Sequence, residues 1–297
     1  MSEVTEVLAA RPRYPLKAVC RALEVSRSAV YACRASASPA PGEPRKRGPK
    51  AKVTDGELLA AIKEEIADSS FVGEGYKKIR ARLRRRRKLR VGKNRVLRLM
   101  RLHGLLAPVR RVHRRGDPAH AGTIITEQPD QMWGTDGTKF ATRRDGWCWV
   151  FIAIDHCTLE IMGWHAAEKG DRWAALEPIR QGVRRRWQGF AADLAAGLKV
   201  RHDWGTQYTS RDFQNELKFL GIESSAAYVS EPETNGVAER FMRTLREQVL
   251  DGARFETLDE ARQAIGRFIA DYNRSWLIER HGYRTPAEIR AAFGVAA

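Results

Sequence analysis

Cysteine is scarce in this 297-residue chain, with four in all. Cys20, Cys33, Cys148 and Cys157 form no Cys-x-x-Cys pair, and no histidine precedes His103. Neither a zinc finger nor a disulfide framework is expected, and a reducing cytoplasm fits. Long apolar runs are also missing. The longest, Trp147 to Ile154, is too short to span a bilayer. The N-terminus lacks a basic segment followed by an apolar one, so no signal peptide and no membrane partner are expected. Acidic residues are short in the first part alone. Residues 1–121 carry 30 basic against 11 acidic side chains, net +19, whereas residues 122–297 carry 23 against 25, net −2. A positive excess of that size points to nucleic acid, through phosphate neutralisation and counterion release. There is no internal repeat.

The basic part is helical in pattern. Leu16, Val19, Cys20 and Leu23 recur at helical spacing, and Ser26 is placed to cap a second helix through Val30 and Tyr31. Residues 1–36 therefore read as a helix-turn-helix-like segment whose second helix, carrying Arg27, can enter a major groove. Residues 37–53 form a basic, Pro-rich linker. Residues 54–107 read as three short helices, with Asp55 as a cap and apolar positions at Leu58, Ile62, Ile79, Leu83, Val96 and Met100. Their basic residues Lys77, Lys78, Arg84, Arg85, Arg86, Arg87, Lys93 and Arg95 are the candidate DNA contacts. Residues 108–124 are a second connector.

From residue 125 the texture changes. Strands are expected at Gln131–Phe140, Trp147–Asp155, Glu160–Ala167, Leu198–Asp203 and Ser224–Val229, with helices over 171–187, from Ser210, and from Asn235 to about Leu250. Three strands, helix, strand, helix, strand, helix match an α/β ribonuclease-H-like catalytic domain, a mixed five-stranded sheet over 125–251. Residues 252–297 are expected to be a helical extension packing on it. There the stripe Ala261, Ile265, Phe268, Ile269 and Tyr272 is amphipathic, and Thr285-Pro286-Ala287-Glu288 reads as a capping box.

Three carboxylates stand out within that frame. Asp136 lies inside a strand, where a charge is costly without a metal or a partner. Asp203 ends a strand, where α/β sheets often bind ligands. Glu239 follows after 35 intervening residues, on a helix whose buried stripe is Val237, Phe241, Leu245 and Val249. Glu239 lies about 200° around from Phe241 at ~100° per residue, and Arg243 and Arg246 share its face. Such an oxygen-rich set suits two Mg²⁺ or Mn²⁺ ions, which activate an attacking hydroxyl and stabilise the leaving oxygen of a phosphodiester. Gln207 and Tyr208 flank the carboxylates and can contact DNA near the scissile phosphate or pack behind it. Asn235 can cap the Glu239 helix. For Asp155 a strand-end turn is the favoured role, and His156, His165 and His281 have no ligand spacing.

The motifs Trp133-Gly134-Thr135-Asp136, His202-Asp203-Trp204-Gly205 and Asn235-Gly236-Val237-Ala238-Glu239, with Arg246 seven positions further on, resemble the catalytic core of transposases and retroviral integrases. More narrowly, the chain resembles the downstream-frame (OrfB) product of IS-three-family insertion sequences over nearly its full length. Gly73-Glu74-Gly75-Tyr76 to Gly104-Leu105 resembles that family's helix-turn-helix, and Tyr272-Asn273-Arg274 to Glu288 its C-terminal end. The resemblance implies a bacterial transposase in which Asp136, Asp203 and Glu239 are the metal ligands. It implies cleavage of element ends and their joining to double-stranded DNA, a homo-oligomer on DNA, and an upstream-frame (OrfA) partner. Thr234-Asn235-Gly236 departs from the Asp-Asn-Ala of many members, and the zinc-binding module of retroviral integrases is absent. A catalytically silent, transposase-derived DNA-binding regulator is the alternative.

Overall fold

The computed structural model describes residues 15–36, 53–108, 124, 126–226 and 235–294. Most of both connectors, the stretch 227–229 at the end of the fifth expected strand, and Thr234 lie outside them. The chain divides into two compact units, Met1–Thr54 and Asp55–Ala297.

In the first unit, α1 (Leu16–Ala22) and α2 (Arg27–Ser36) pack through Cys20 and Val30. The Ser26 hydroxyl accepts the Ala29 N–H at 3.2 Å, as its position before the helix implies.

The second unit begins with α3 (Asp55–Ala67), α4 (Tyr76–Arg86) and α5 (Lys93–Leu102). Leu58, Ile62, Ile79, Leu83, Val96 and Met100 are fully buried between them. Asp55 stands in the first turn of α3 rather than before it, and its carboxylate holds Arg95 and Arg98 of α5. Phe71, in the loop after α3, leaves this small core for a larger one. It meets Phe268 edge-on at 6.0 Å and Trp276 at 4.9 Å.

The larger body is one five-stranded sheet in the order β3-β2-β1-β4-β5. Its strands are β1 (Met132–Thr142), β2 (Gly146–Asp155), β3 (Ile161–Ala167), β4 (Lys199–His202) and β5 (Glu223–Ala226). The first three are antiparallel neighbours, while β4 runs parallel to β1 and β5 parallel to β4. β2 is apolar at consecutive positions because both faces are covered. Cys148, Val150, Ile152 and Ile154 face one core, and Phe151 and Ala153 the other. On the second face lie α6 (Arg172–Trp187), the short turn α7 (Thr206–Thr209) and α8 (Arg211–Phe219). On the first lie α9 (Gly236–Leu245), its π-helical continuation Arg246–Leu250, and α10 (Leu258–Ser275). Leu258, Ala261, Ile265, Phe268, Ile269 and Tyr272 make the buried stripe of α10.

The last helix, α11 (Pro286–Ala292), carries the expected capping box at Thr285 and Glu288 with Pro286 in its first turn. Its Arg290 is buried and reaches three carboxylates: Glu160, Asp130 at 2.9 Å and Asp155 at 3.7 Å. Arg185 also pairs with Glu160, and Arg186 with Asp130 at 2.6 Å. Removing one partner of such a buried network strands the others in low dielectric. Arg290→Ala is therefore expected to lower unfolding free energy by about 3–5 kcal/mol. Arg143→Ala, which breaks the exposed pair with Glu256, should leave stability close to that of the parent. Urea titration of the two variants checks the contrast.

Candidate active site at the β1–β4 edge

Strand alternation decides which side each residue faces. On β1, Trp133 belongs to the α6/α8 core and Phe140 to the α9/α10 core. Asp136 shares parity with Phe140 and so lies on the α9 side. On β4, Val200 faces the α6/α8 core, which puts Arg201 and the position of Asp203 on the α9 side as well. The parallel register pairs Gly134 with Arg201. Continued by two residues, it sets Asp136 beside Asp203. Glu239 lies in the first turn of α9, the helix packed on this same face.

The close approach of α9 depends on one glycine. A Cβ at Gly134 would stand 2.9 Å from His156 Nε2, 3.1 Å from Asn235 Oδ1 and 3.3 Å from the Ala238 methyl. A glycine within a strand often marks such an approach. Asn235 does not cap α9 through its side chain. Its Nδ2 instead donates to the Thr135 carbonyl at 3.1 Å, which fastens the start of α9 to the strand residue before Asp136. Nothing in the residue pattern signals this pin beyond the glycine itself.

Asp136 and Asp203 are each turned to a nearby backbone N–H. Asp136 Oδ1 accepts the Gly137 N–H at 2.7 Å, and Asp203 Oδ1 accepts the Gly205 N–H at 2.9 Å. Among the described residues no group of three or more His, Cys, Asp or Glu is already arranged to hold a metal ion. The electrostatics nonetheless mark a shared site. Burial first, and repulsion from Asp203 and Glu239 after it, push the Asp136 carboxyl up to about 7 against the pull of the Gly137 N–H.

Several expected DNA contacts take other roles. Tyr208 is fully buried, stacked on His202 at 5.5 Å and edge-on to Phe213 and Phe151, so it is a core residue and not a DNA contact. Its ring is simply large and apolar enough to fill the space under the Asp203 turn. Gln207 is partly exposed. Arg243 is exposed on the Glu239 face. Arg246 starts the π-helical turn, where its guanidinium donates to Thr138 Oγ1 at 2.9 Å and the Lys139 carbonyl at 3.3 Å, and pairs with Asp251. Val249, placed in the buried stripe by its spacing, is only partly buried, because the π turn shifts its angle.

The arginine run is largely occupied within the protein. Arg85 pairs with Glu288, Arg86 with Glu65 and Asp68, and Arg87 with Glu64 and Glu65. Lys77 pairs with Glu279, Lys78 lies 4.0 Å from Glu74, and Arg95 holds Asp55. Arg27, Arg84 and Lys93 are exposed and make no ion pair among the described residues. Asp155 is a turn residue, accepting from the Thr158 and Asp130 N–H groups at 2.7 Å each. His156 is buried, bonded to the Ile124 carbonyl at 2.9 Å, and burial lowers its pKa to about 4.

Comparison with known proteins matches the chain to three domain families. The integrase core domain family matches residues 126–232, a second integrase core family matches 220–286, and an HTH-like domain family matches 54–113. The chain carries an integrase core domain and an HTH-like domain, and these matches support polynucleotidyl transferase chemistry. The chain is homologous to the transposase InsD for insertion element IS2A/D/F/H/I/K of Escherichia coli, at 27% identity over 220 residues, 72% of each chain. This agrees with the IS-three-family downstream-frame type. Similar solved structures include the catalytic core domain of BIV integrase, at 20% identity and TM-score 0.40, over 55% of this chain and 95% of that one. Another is the HTLV-2 integrase catalytic core domain in complex with magnesium, at 17% identity and TM-score 0.40, over 55% and 97%.

Two outcomes follow from the site. Gly134→Ala leaves the fold intact but forces Asn235 and α9 off β1. Polynucleotidyl transfer should fall about 100-fold, as for a ~1 Å misplacement of a reacting group, with unchanged circular dichroism. The raised Asp136 pKa has a defined sign. Its contribution to metal-free stability is full below the ordinary value of 3.8 and is lost as pH rises through about 7. Metal-free Asp136→Asn should therefore lack that fall, and melt above the parent at pH 8 but not at pH 4.

Proposed function

We propose that the chain is an insertion-element transposase that cleaves element ends and joins them to target DNA with Asp136, Asp203 and Glu239 as its metal ligands. The observation that carries this reading is the common face. Strand parity and α9 packing bring three carboxylates from separate elements to one edge of the sheet. Like charges gathered in this way are costly without a cation. The donor set is all oxygen and suits Mg²⁺ or Mn²⁺.

Two such ions, when bound, would supply activation of the attacking hydroxyl and stabilisation of the leaving oxygen. The chain's own residues do the rest. Asp136 is held rigidly by the central strand. Asp203 is fixed by its turn, which leaves Oδ2 free of the Gly205 contact. Glu239 is set by the Asn235 pin. Arg243 lies on the same helical face, where a cation can hold a phosphate of the bound strand. Water serves as nucleophile for cleavage, and a DNA 3′-hydroxyl for joining. Arg27, Arg84 and Lys93 are the basic residues placed to meet the DNA backbone, on the helical segments. A homo-oligomer on DNA and a bacterial cytoplasmic location go with the transposase role.

The test uses labelled DNA carrying the ends of the element that encodes the chain, with Mg²⁺. Asp203→Ala and Glu239→Gln should each lower cleavage and joining on the order of 10³-fold or more, with DNA binding in Ca²⁺ within about twofold of the parent. Equal turnover by parent and variants would sink the triad. A parent that binds these ends but yields no product would support the silent regulator instead.

A further inference from the structure

Among the large apolar side chains left exposed, Trp204 stands next to the carboxylates. It follows Asp203 directly and keeps 58% of its surface accessible. Isolated surface aromatics are ordinary, so exposure alone says little. The turn that holds this one says more.

Trp204 is presented by a rigid support. The Asp203 carboxylate accepts the Gly205 N–H at 2.9 Å, closing a tight turn with Trp204 at its tip. A Cβ at Gly205 would stand 2.6 Å from Gln207 Nε2 and 2.9 Å from Asp203 Oδ1, so these two side chains fill the space beside the turn. The Gly205 carbonyl takes the Tyr208 and Thr209 N–H groups, and the buried Tyr208 ring anchors the following helical turn from below. His202 Nδ1 lies 2.7 Å from the Asp203 carbonyl and fixes the turn from the other end. The same bonds that orient Asp203 thus fix the backbone that carries the indole, which stays more than half exposed.

An indole offers a flat apolar face and one N–H donor. What it meets beside a phosphodiester-cutting site is a nucleotide. Inside an intact duplex the faces of the bases are covered by their neighbours. An aromatic side chain at the cleavage point reaches a base face only where the base has left the stack or ends it. We propose that Trp204 is a substrate-positioning residue that stacks on an unpaired nucleobase flanking the scissile phosphate. The protein then selects DNA ends that are frayed or splayed at the point of reaction. This rests on the assignment of Asp203 to the reaction centre and adds to it the state of the DNA strand. Stacking is tolerant of base identity, so the selection is for unpairing and not for sequence.

The experiment uses the full chain and two duplex probes, in Ca²⁺. One ends in a three-nucleotide 3′ overhang containing 2-aminopurine, and the other is blunt with the same base paired. The parent should quench the overhang probe and bind it more tightly than the blunt one. Trp204→Ala should lose the quenching and bind the overhang probe about 10-fold more weakly, within the range expected for one base–aromatic stack. Its affinity for the blunt probe should change less than about twofold, and Trp204→Phe and Trp204→Tyr should restore most of the preference. Equal loss on both probes would make Trp204 a general contact and overturn the proposal, as would unchanged quenching in Trp204→Ala. Asp203→Ala run in parallel separates the two assignments. Loss of cleavage there with Trp204→Ala behaving as the parent removes only the stacking role. Normal cleavage there with quenching lost in Trp204→Ala removes only the triad.

Discussion

The contact on which the active edge depends is the approach of α9 to β1 at Gly134. Three atoms crowd the space where a side chain would be, and Asn235 closes the gap with one hydrogen bond to Thr135. A helix set about a methyl group further out would carry Glu239 away from Asp136. Asp136 and Asp203 each stand two residues beyond Gly134 and Arg201, the last pair of a register that backbone hydrogen bonds fix. Glu239 has no such tie and relies on packing, on the glycine and on the pin. The third carboxylate is therefore the one whose position is most easily lost.

Much of this could be read from the residues. Elements with a strong pattern came out close to their observed limits, as β2 did because Trp147 to Ile154 are apolar without a break. Fold class followed from element order. Parity and register could not be read, because they are properties of pairing between segments far apart in sequence. The helix face of Glu239 was right where α-helical geometry holds and failed at Val249, where the π turn begins. Tyr208 was misplaced for a related reason. A polar motif beside a carboxylate looks like a substrate contact, yet a four-residue helical turn points its largest ring inward.

Charge was the least faithful guide. Composition assigns the whole basic excess to the first part of the chain, and the arginine run looks like a surface for DNA. In the fold, five acidic residues on α3, α11 and the turns between them take up Lys77, Arg85, Arg86 and Arg87. A sequence shows how many charges a segment carries but not which are already matched. The exposed pairs contribute little individually, while the Glu74–Arg82 pair is buried and keeps the loop at Phe71 in place.

Phe71 has a mechanical consequence. It leaves the helical bundle and is clasped by Phe268 and Trp276, and Gln248 bonds both the N–H and the carbonyl of the adjoining Val72. Gln248 sits in the π turn that continues the Glu239 helix. On the proposed function, a load applied to α4 or α5 by a bound duplex would pass through packed aromatics into α10 and the root of α9. No swivel lies between them. The proposed grip on DNA and the seat of the third carboxylate would then act as two ends of one lever.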